Sequence, residues 1–218
     1  MRKMNGEEFD QLVPFFDGMA CTRWLGAVHD QLKQATGTWS GKRVLDVGCG
    51  TGRLLFRGVE EADHVVGIDL SEGMIQAANE LYEEKGKKDK ATFQVGDAYN
   101  LPFANHEFDV AISTCVLFLL PEPAKGMKEM IRVVKEGGMI AMLNPSEHMN
   151  QQTAAEYCKR HNITQFEETT LLKWSNISTL RHRYNSVELS TFLKNCGAKE
   201  VEHFPVVDGL ALITICKL

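Results

Sequence analysis

From position 43 onward, short apolar runs alternate with stretches whose apolar residues recur every three or four positions. Short runs suit buried strands, and the recurrence near 3.6 suits amphipathic helices. RVLDV (43–47) predicts a first strand, followed by a glycine-rich turn and a helix over 54–61. HVVGI (64–68) predicts a second strand. Ser71 then supplies a hydroxyl N-cap, and Met74, Ile75, Ala78 and Leu81 mark the inward face of a helix that stops at Gly86. ATFQV (91–95) and FDVAIST (108–114) predict the third and fourth strands. Pro121 and Pro123 introduce a helix with Met127, Met130, Ile131 and Val134 inward, closed by Gly137 and Gly138. MIAML (139–143) is the fifth strand, and Asn144-Pro145 reads as a turn. A helix over 186–195 ends at Gly197, and KEVEHF and LALITICKL read as closing strands.

Strand alternating with helix predicts an α/β fold with a mainly parallel sheet and helices on both faces. Two segments fall outside the alternation. Residues 1–40 read as one or two helices carrying Phe15, Phe16, Trp24 and Trp39, and residues 146–182 show no strand pattern. The expected organisation is one domain over 1–218. Its parts are N-terminal helices (1–40), a ligand-binding core (41–145), a helical cover over the strand ends (146–182), and a closing helix and strands (183–218). Doubly wound sheets bind ligands outside the carboxyl ends of their strands, near the point where strand order reverses.

Composition narrows the partners. With 218 residues, 44 % apolar and 24 % charged, the chain suits a globular domain with a real core. A net charge of −5 argues against the basic face that nucleic-acid binding normally needs. The N-terminus lacks the apolar stretch of about 7–15 residues found in a secretory signal. The longest strongly apolar run, near VLFLLP, falls well short of the about 20 residues that span a bilayer. A cytoplasmic protein without a membrane partner is therefore expected. Cys21, Cys49, Cys115, Cys158, Cys196 and Cys216 are scattered with no C-x-x-C pair, which points to reduced thiols and no metal site. Oligomeric state is not encoded in any pattern found.

The chemistry concentrates in VLDVGCGTGRLL, where Gly48, Gly50 and Gly52 follow Asp46. A triphosphate-binding loop would need Gly-Lys-Ser/Thr, but Gly52 is followed by Arg53 and Leu54. A dinucleotide fingerprint would need glycine three residues after Gly50, where Arg53 stands, although Asp69 lies at a suitable distance to hold a ribose. A ligand without phosphate and with a cationic end, such as S-adenosylmethionine, suits both the close backbone approach and the carboxylate.

These residues resemble class I S-adenosylmethionine-dependent methyltransferases of the small-molecule group, akin to the ubiquinone/menaquinone-biosynthesis enzymes. The carrying segments are VLDVGCGTG, GIDLS, GDAYNLPF, FDVAISTCVLFLL and VVKEGGMIAML, in the family's order over about residues 40–145. The resemblance implies a Rossmann-like, mainly parallel seven-stranded sheet whose last strand is antiparallel. It places Asp46, Gly48, Cys49, Gly50 and Gly52 around the methionine portion of S-adenosyl-L-methionine and Asp69 on the ribose. Leu70 and Met74 would flank the adenine, Asp97 and Ala98 would meet its amino edge, and Ser113 and Thr114 would lie under the sulfur.

A small-molecule methyl acceptor is expected, because STCVLFLL carries neither an Asp/Asn-Pro-Pro-aromatic motif nor a Pro-Cys nucleophile. The acceptor is expected between residues 1–40 and 146–182. That second segment holds His148, Tyr157, Cys158, His161, Trp174 and His182, and His148 is the first candidate base. Two other readings remain open from sequence: a cofactor-binding protein without chemistry, and a nicotinamide-dependent oxidoreductase.

Overall fold

The apolar runs form the strands β1 (Arg43–Val47), β2 (His64–Asp69), β3 (Ala91–Val95), β4 (Phe108–Thr114), β5 (Val134–Pro145), β6 (Glu200–Val206) and β7 (Ala211–Lys217). The computed structural model describes residues 2–218 and joins these strands in the order β3-β2-β1-β4-β5-β7-β6. Neighbours from β3 to β5 are parallel. Only β7 runs against the rest, antiparallel to both β5 and β6. Strand order reverses between β1 and β4, which puts the switch point at the glycine turn. β1, β4 and β7 are almost wholly buried, as strands covered on both faces must be.

Helices α1 (Glu7–Asp10), α2 (Val13–Ala20) and α3 (Arg23–Ala35) precede the sheet. α4 (Glu72–Glu84) and α5 (Pro123–Val133) are crossovers, α6 (Gln151–Arg160) and α7 (Gln165–Thr179) follow β5, and α8 (Ser186–Cys196) precedes β6. The capping logic holds where it was legible. The Ser71 hydroxyl accepts from the Met74 N–H at 3.0 Å, and Gly197 ends α8 at φ +121°.

Four local expectations are corrected. Residues 54–61 form a single 3-10 turn, Leu55–Arg57, in place of a helix. Eight residues containing Gly58 propagate a helix poorly, and the Trp39 ring packs directly on Gly58 where a side chain would stand. Trp39 itself lies past α3 and is fully buried, and the N-terminal segment holds three helices. Gly137 and Gly138 do not close α5, which ends at Val133. They sit inside β5, where the ladder steps from Val134 opposite Phe108 to Met139 opposite Val110. Gly137, at φ +75°, lets the extra residues loop out. Asn144 and Pro145 extend β5 instead of turning, paired with Leu212 and Ala211. Cys49, Cys158 and Cys216 are buried, but Cys21 is exposed, and all six cysteines are free thiols.

Candidate active site

A cavity of about 660 Å³ opens at the carboxyl ends of β1, β2 and β4. Its sheet side is made by Gly48, Cys49, Gly50, Thr51, Asp69 and Leu70, with Met74, Gly96, Asp97, Ala98 and Thr114 beside them. The opposite wall is apolar and helical. Phe9, Phe15, Phe16 and Met19 come from the N-terminal helices, and Leu172, Trp174 and Ile177 come from α7. From the segment after β5, Gln151 and one face of α7 thus line the cavity.

The glycine turn is shaped by conformations that side chains resist. Gly48 has φ +77°, and a Cβ there would run into the Val116 side chain. Gly50 has φ +52°, and its missing side chain leaves open space of the kind a ligand backbone contact needs. The Gly50 N–H donates to Asp69 Oδ2 at 2.9 Å, and the Ser71 N–H donates to Asp69 Oδ1 at 3.0 Å. The carboxylate therefore ties β2 to the turn after β1. Burial raises the Asp69 pKa even against these hydrogen bonds.

Asp46 lies beneath this surface, 1 % exposed, and does not itself line the cavity. Its Oδ1 is buried without a partner. Burial first, and the nearby Asp69 charge second, push its pKa up to about 8. The Asp69 carboxylate at the opening disfavours a phosphate and suits a ligand that offers hydroxyls or a positive centre. Asp46 beneath it, with its pKa at about 8, instead holds a proton at neutral pH. Arg53, a cation in the cavity lining, is paired with Asp17 at 2.9 Å. The residues present thus fit S-adenosyl-L-methionine, and the nicotinamide reading loses its phosphate partner.

Not every expected residue reaches the cavity. Gly52 turns toward Phe93 and Tyr82, and its carbonyl accepts the Tyr82 hydroxyl at 3.0 Å. Ser113 is buried and its hydroxyl donates to the Val47 carbonyl at 2.9 Å, since successive strand residues point to opposite faces and only Thr114 faces the opening. His148 is exposed, its ring 3.8 Å from the Glu147 carboxylate, and it does not line the cavity. The chain leaves β5 sideways there, because Glu147 N–H pairs back to Tyr184. Tyr157 stacks on His161, which meets Asp208 at 2.8 Å, away from the opening. Of that segment's aromatic and histidine residues, Trp174 alone contributes to the wall.

Three contacts absent from the sequence reading close the N-terminal segment over the strand ends. Asp17 accepts from the Thr51 hydroxyl at 2.6 Å and pairs with Arg53. Asp10 accepts from the Ser71 hydroxyl at 2.5 Å and the Gly73 N–H at 3.1 Å. Lys3 pairs with Asp97 and lies 4.2 Å over the Tyr99 ring. Asp10 ends α1 and Asp17 lies on α2, and no local sequence pattern marks either as a partner of the strand-end turns.

A doubly wound sheet with a glycine turn at its switch point and acidic groups at successive strand ends defines a nucleoside-type cofactor site for a cationic ligand. A family profile described as a methyltransferase domain matches residues 39–177, and the chain belongs to that family. The cofactor is S-adenosyl-L-methionine. The chain is 35 % identical over 144 residues to a demethylmenaquinone methyltransferase of Desulfitobacterium hafniense, covering 63 % of this chain and 57 % of that protein. A demethylmenaquinone methyltransferase of Clavibacter sepedonicus is 27 % identical over 94 % of this chain and 86 % of its own length. The first of these matches thus spans little more than half of the relative. Among solved structures, a SAM-dependent methyltransferase from Aquifex aeolicus superposes with TM-score 0.65 at 19 % identity, covering 87 % of this chain and 88 % of its own. The SpnF cyclase superposes at 0.71 with 18 % identity, covering 97 % and 94 %, so the fold is shared with a different named chemistry.

Proposed function

We propose that the chain transfers a methyl group from S-adenosyl-L-methionine to a small, largely apolar acceptor. The observation that carries this reading is the single cavity shared by the acidic strand ends on one side and the aromatic helical wall on the other. S-Adenosylmethionine supplies a methyl on cationic sulfur, open to in-line displacement by the acceptor. The residues of the chain align the two partners and exclude water, with α2, α3 and α7 as the screen.

The Gly48 and Gly50 backbone, with Cys49 between them, would border the methionine portion. Asp69 would accept from the ribose hydroxyls, and Leu70 and Met74 would flank the adenine. Asp97 and Ala98 would meet its amino edge, with Lys3 shared or displaced. Thr114 borders the reacting end. Asp46, Gly52 and Ser113 act from beneath, as buried carboxyl, turn and strand anchor. His148 is not assigned a role.

The names of the relatives direct the acceptor search to demethylmenaquinone and related quinols first. The test is turnover of labelled cofactor against a panel of quinols, phenols, thiols and amines. Methyl transfer to an apolar hydroxylated member is the expected outcome. Cofactor binding with no transfer to any member would favour the non-catalytic reading.

A further inference from the structure

Among the described residues, three cationic side chains line the cavity, and two of them are matched. Lys3 pairs with Asp97, and Arg53 pairs with Asp17 at 2.9 Å. The third, Lys173 on α7, has no carboxylate partner among the described residues. Its Nζ lies 4.5 Å from the centre of the Phe15 ring. That ring is itself fixed by edge contacts with Phe16 and Phe166, at 5.4 and 5.9 Å between centres. A ring face attracts a cation, but it offers no oxygen to the three ammonium donors. The contact therefore holds Lys173 at the cavity wall and leaves its hydrogen bonds to be made.

Thr169, Lys173 and Asn176 are spaced as neighbours on one helical face, and all three line the cavity. Thr169 gives its hydroxyl proton to the Gln165 carbonyl at 3.0 Å, so it has no donor left. The Asn176 side-chain amide has no hydrogen-bond partner among the described residues and can donate. Much of the remaining lining from α2 and α7 is apolar, with Phe15, Phe16, Met19, Leu172 and Ile177. The strand-end side carries the carboxylates Asp69 and Asp97. The cavity is therefore acidic on the sheet side, and its unmatched cation stands on the helical side.

We propose that Lys173, assisted by Asn176, binds a carboxylate on an otherwise apolar acceptor. The pair would select acceptors with one negative charge remote from the reacting end at Thr114. A phosphate dianion is opposed by Asp69 and Asp97 in the same cavity, and an ammonium is opposed by Lys173 itself. An aromatic or aliphatic body would lie along the Phe15 and Leu172 wall. The word acceptor rests on the methyltransferase reading, whereas the preference for a carboxylate rests on α7.

The test is calorimetry of 1-naphthoate against 1-naphthamide, which match in shape and differ in charge, with saturating S-adenosylhomocysteine at two ionic strengths. The wild-type protein should prefer 1-naphthoate by about fivefold or more at low salt, and added salt should shrink the preference. Lys173→Met should bring the two probes within about twofold while leaving the 1-naphthamide affinity in place. Asn176→Leu should lower the preference in part. Lys173→Arg should keep it, and Lys173→Glu should turn it toward 1-naphthylmethylammonium. Lys159→Met, which removes the same charge from α6 outside the cavity, should behave as wild type. S-Adenosylhomocysteine affinity should stay unchanged in every variant, which also reports an intact fold. A wild-type protein that binds neither probe or treats them alike, or a Lys173→Met protein that keeps the preference, would overturn the assignment. So would a Lys173→Met protein that keeps its circular dichroism but loses S-adenosylhomocysteine affinity, because Lys173 would then hold the cofactor's own carboxylate. Failure of the wild-type protein to bind S-adenosylhomocysteine would instead overturn the methyltransferase reading, leaving the probe comparison, run without it, to judge Lys173.

Discussion

Asp46 and Asp69 end adjacent strands, and their burial sets the electrostatics of the site. Asp46 has a folded pKa of about 8 against an ordinary 3.8, so between those values the native state holds a proton that the unfolded chain releases. Stability linked to this group is therefore present at low pH and falls as pH rises through the window from about 4 to 8. Paired carboxylates such as Asp17, whose pKa Arg53 lowers, act with the opposite sign, so the comparison must be between proteins. Asp46→Asn should remove the loss. By denaturant unfolding, the variant should gain on the wild type between pH 5 and pH 8, on the order of a few kcal/mol. An identical pH dependence in the two proteins would show that Asp46 does not carry this proton.

At the scale of elements, α1 and α2 are pinned to the turns they cover. Asp17 holds the glycine turn through Thr51 and Arg53, and Asp10 holds the start of α4 through Ser71 and Gly73. α1 buries no residue and α2 only Met19, so polar contacts supply much of their attachment. Segments of this kind open at low free-energy cost. Asp17→Ala should raise amide exchange across α2 by about tenfold or more while leaving β4 protected. It should also speed S-adenosylhomocysteine release, because the N-terminal wall closes the cavity. Unchanged exchange in α2 would mean that Phe15, Phe16 and Met19 alone hold the helix.

For the molecule as a whole, the site joins both halves of the chain, so ligand binding and global stability are linked. S-Adenosylhomocysteine at 100 times its Kd should add about 2.7 kcal/mol. For a domain of this size that corresponds to about 5–10 °C in Tm. Asp69→Ala should lose most of this shift at the same ligand concentration, since each charge-assisted hydrogen bond it could make is worth about 1.5–3 kcal/mol. A full shift in that variant would remove Asp69 from cofactor binding. Among the described residues no helix is long and apolar enough to cross a membrane.

The sequence by itself determined the sheet and the sheet side of the cavity. β2, β3 and β4, the Ser71 cap and the stop at Gly197 depend on short-range periodicity and on backbone angles that glycine alone takes easily. Asp69 followed because it ends β2 and strand ends in such sheets converge, while Asp97 and Thr114 followed from the family resemblance. Only the tertiary structure decided which neighbour of a pair faces the opening, as with Thr114 over Ser113, or that Asp46 and Gly52 lie beneath it. It also decided the helical wall. His29 sits in a helix whose pattern reads simply as amphipathic, yet it lines the same cavity as Trp174, more than a hundred residues away in the chain. His148 stands nearer in sequence to the strand ends, yet the path of the chain after β5 turns it to solvent. Periodicity reports which face of an element is buried, whereas the partner of that face is set by long-range packing, which leaves no local trace.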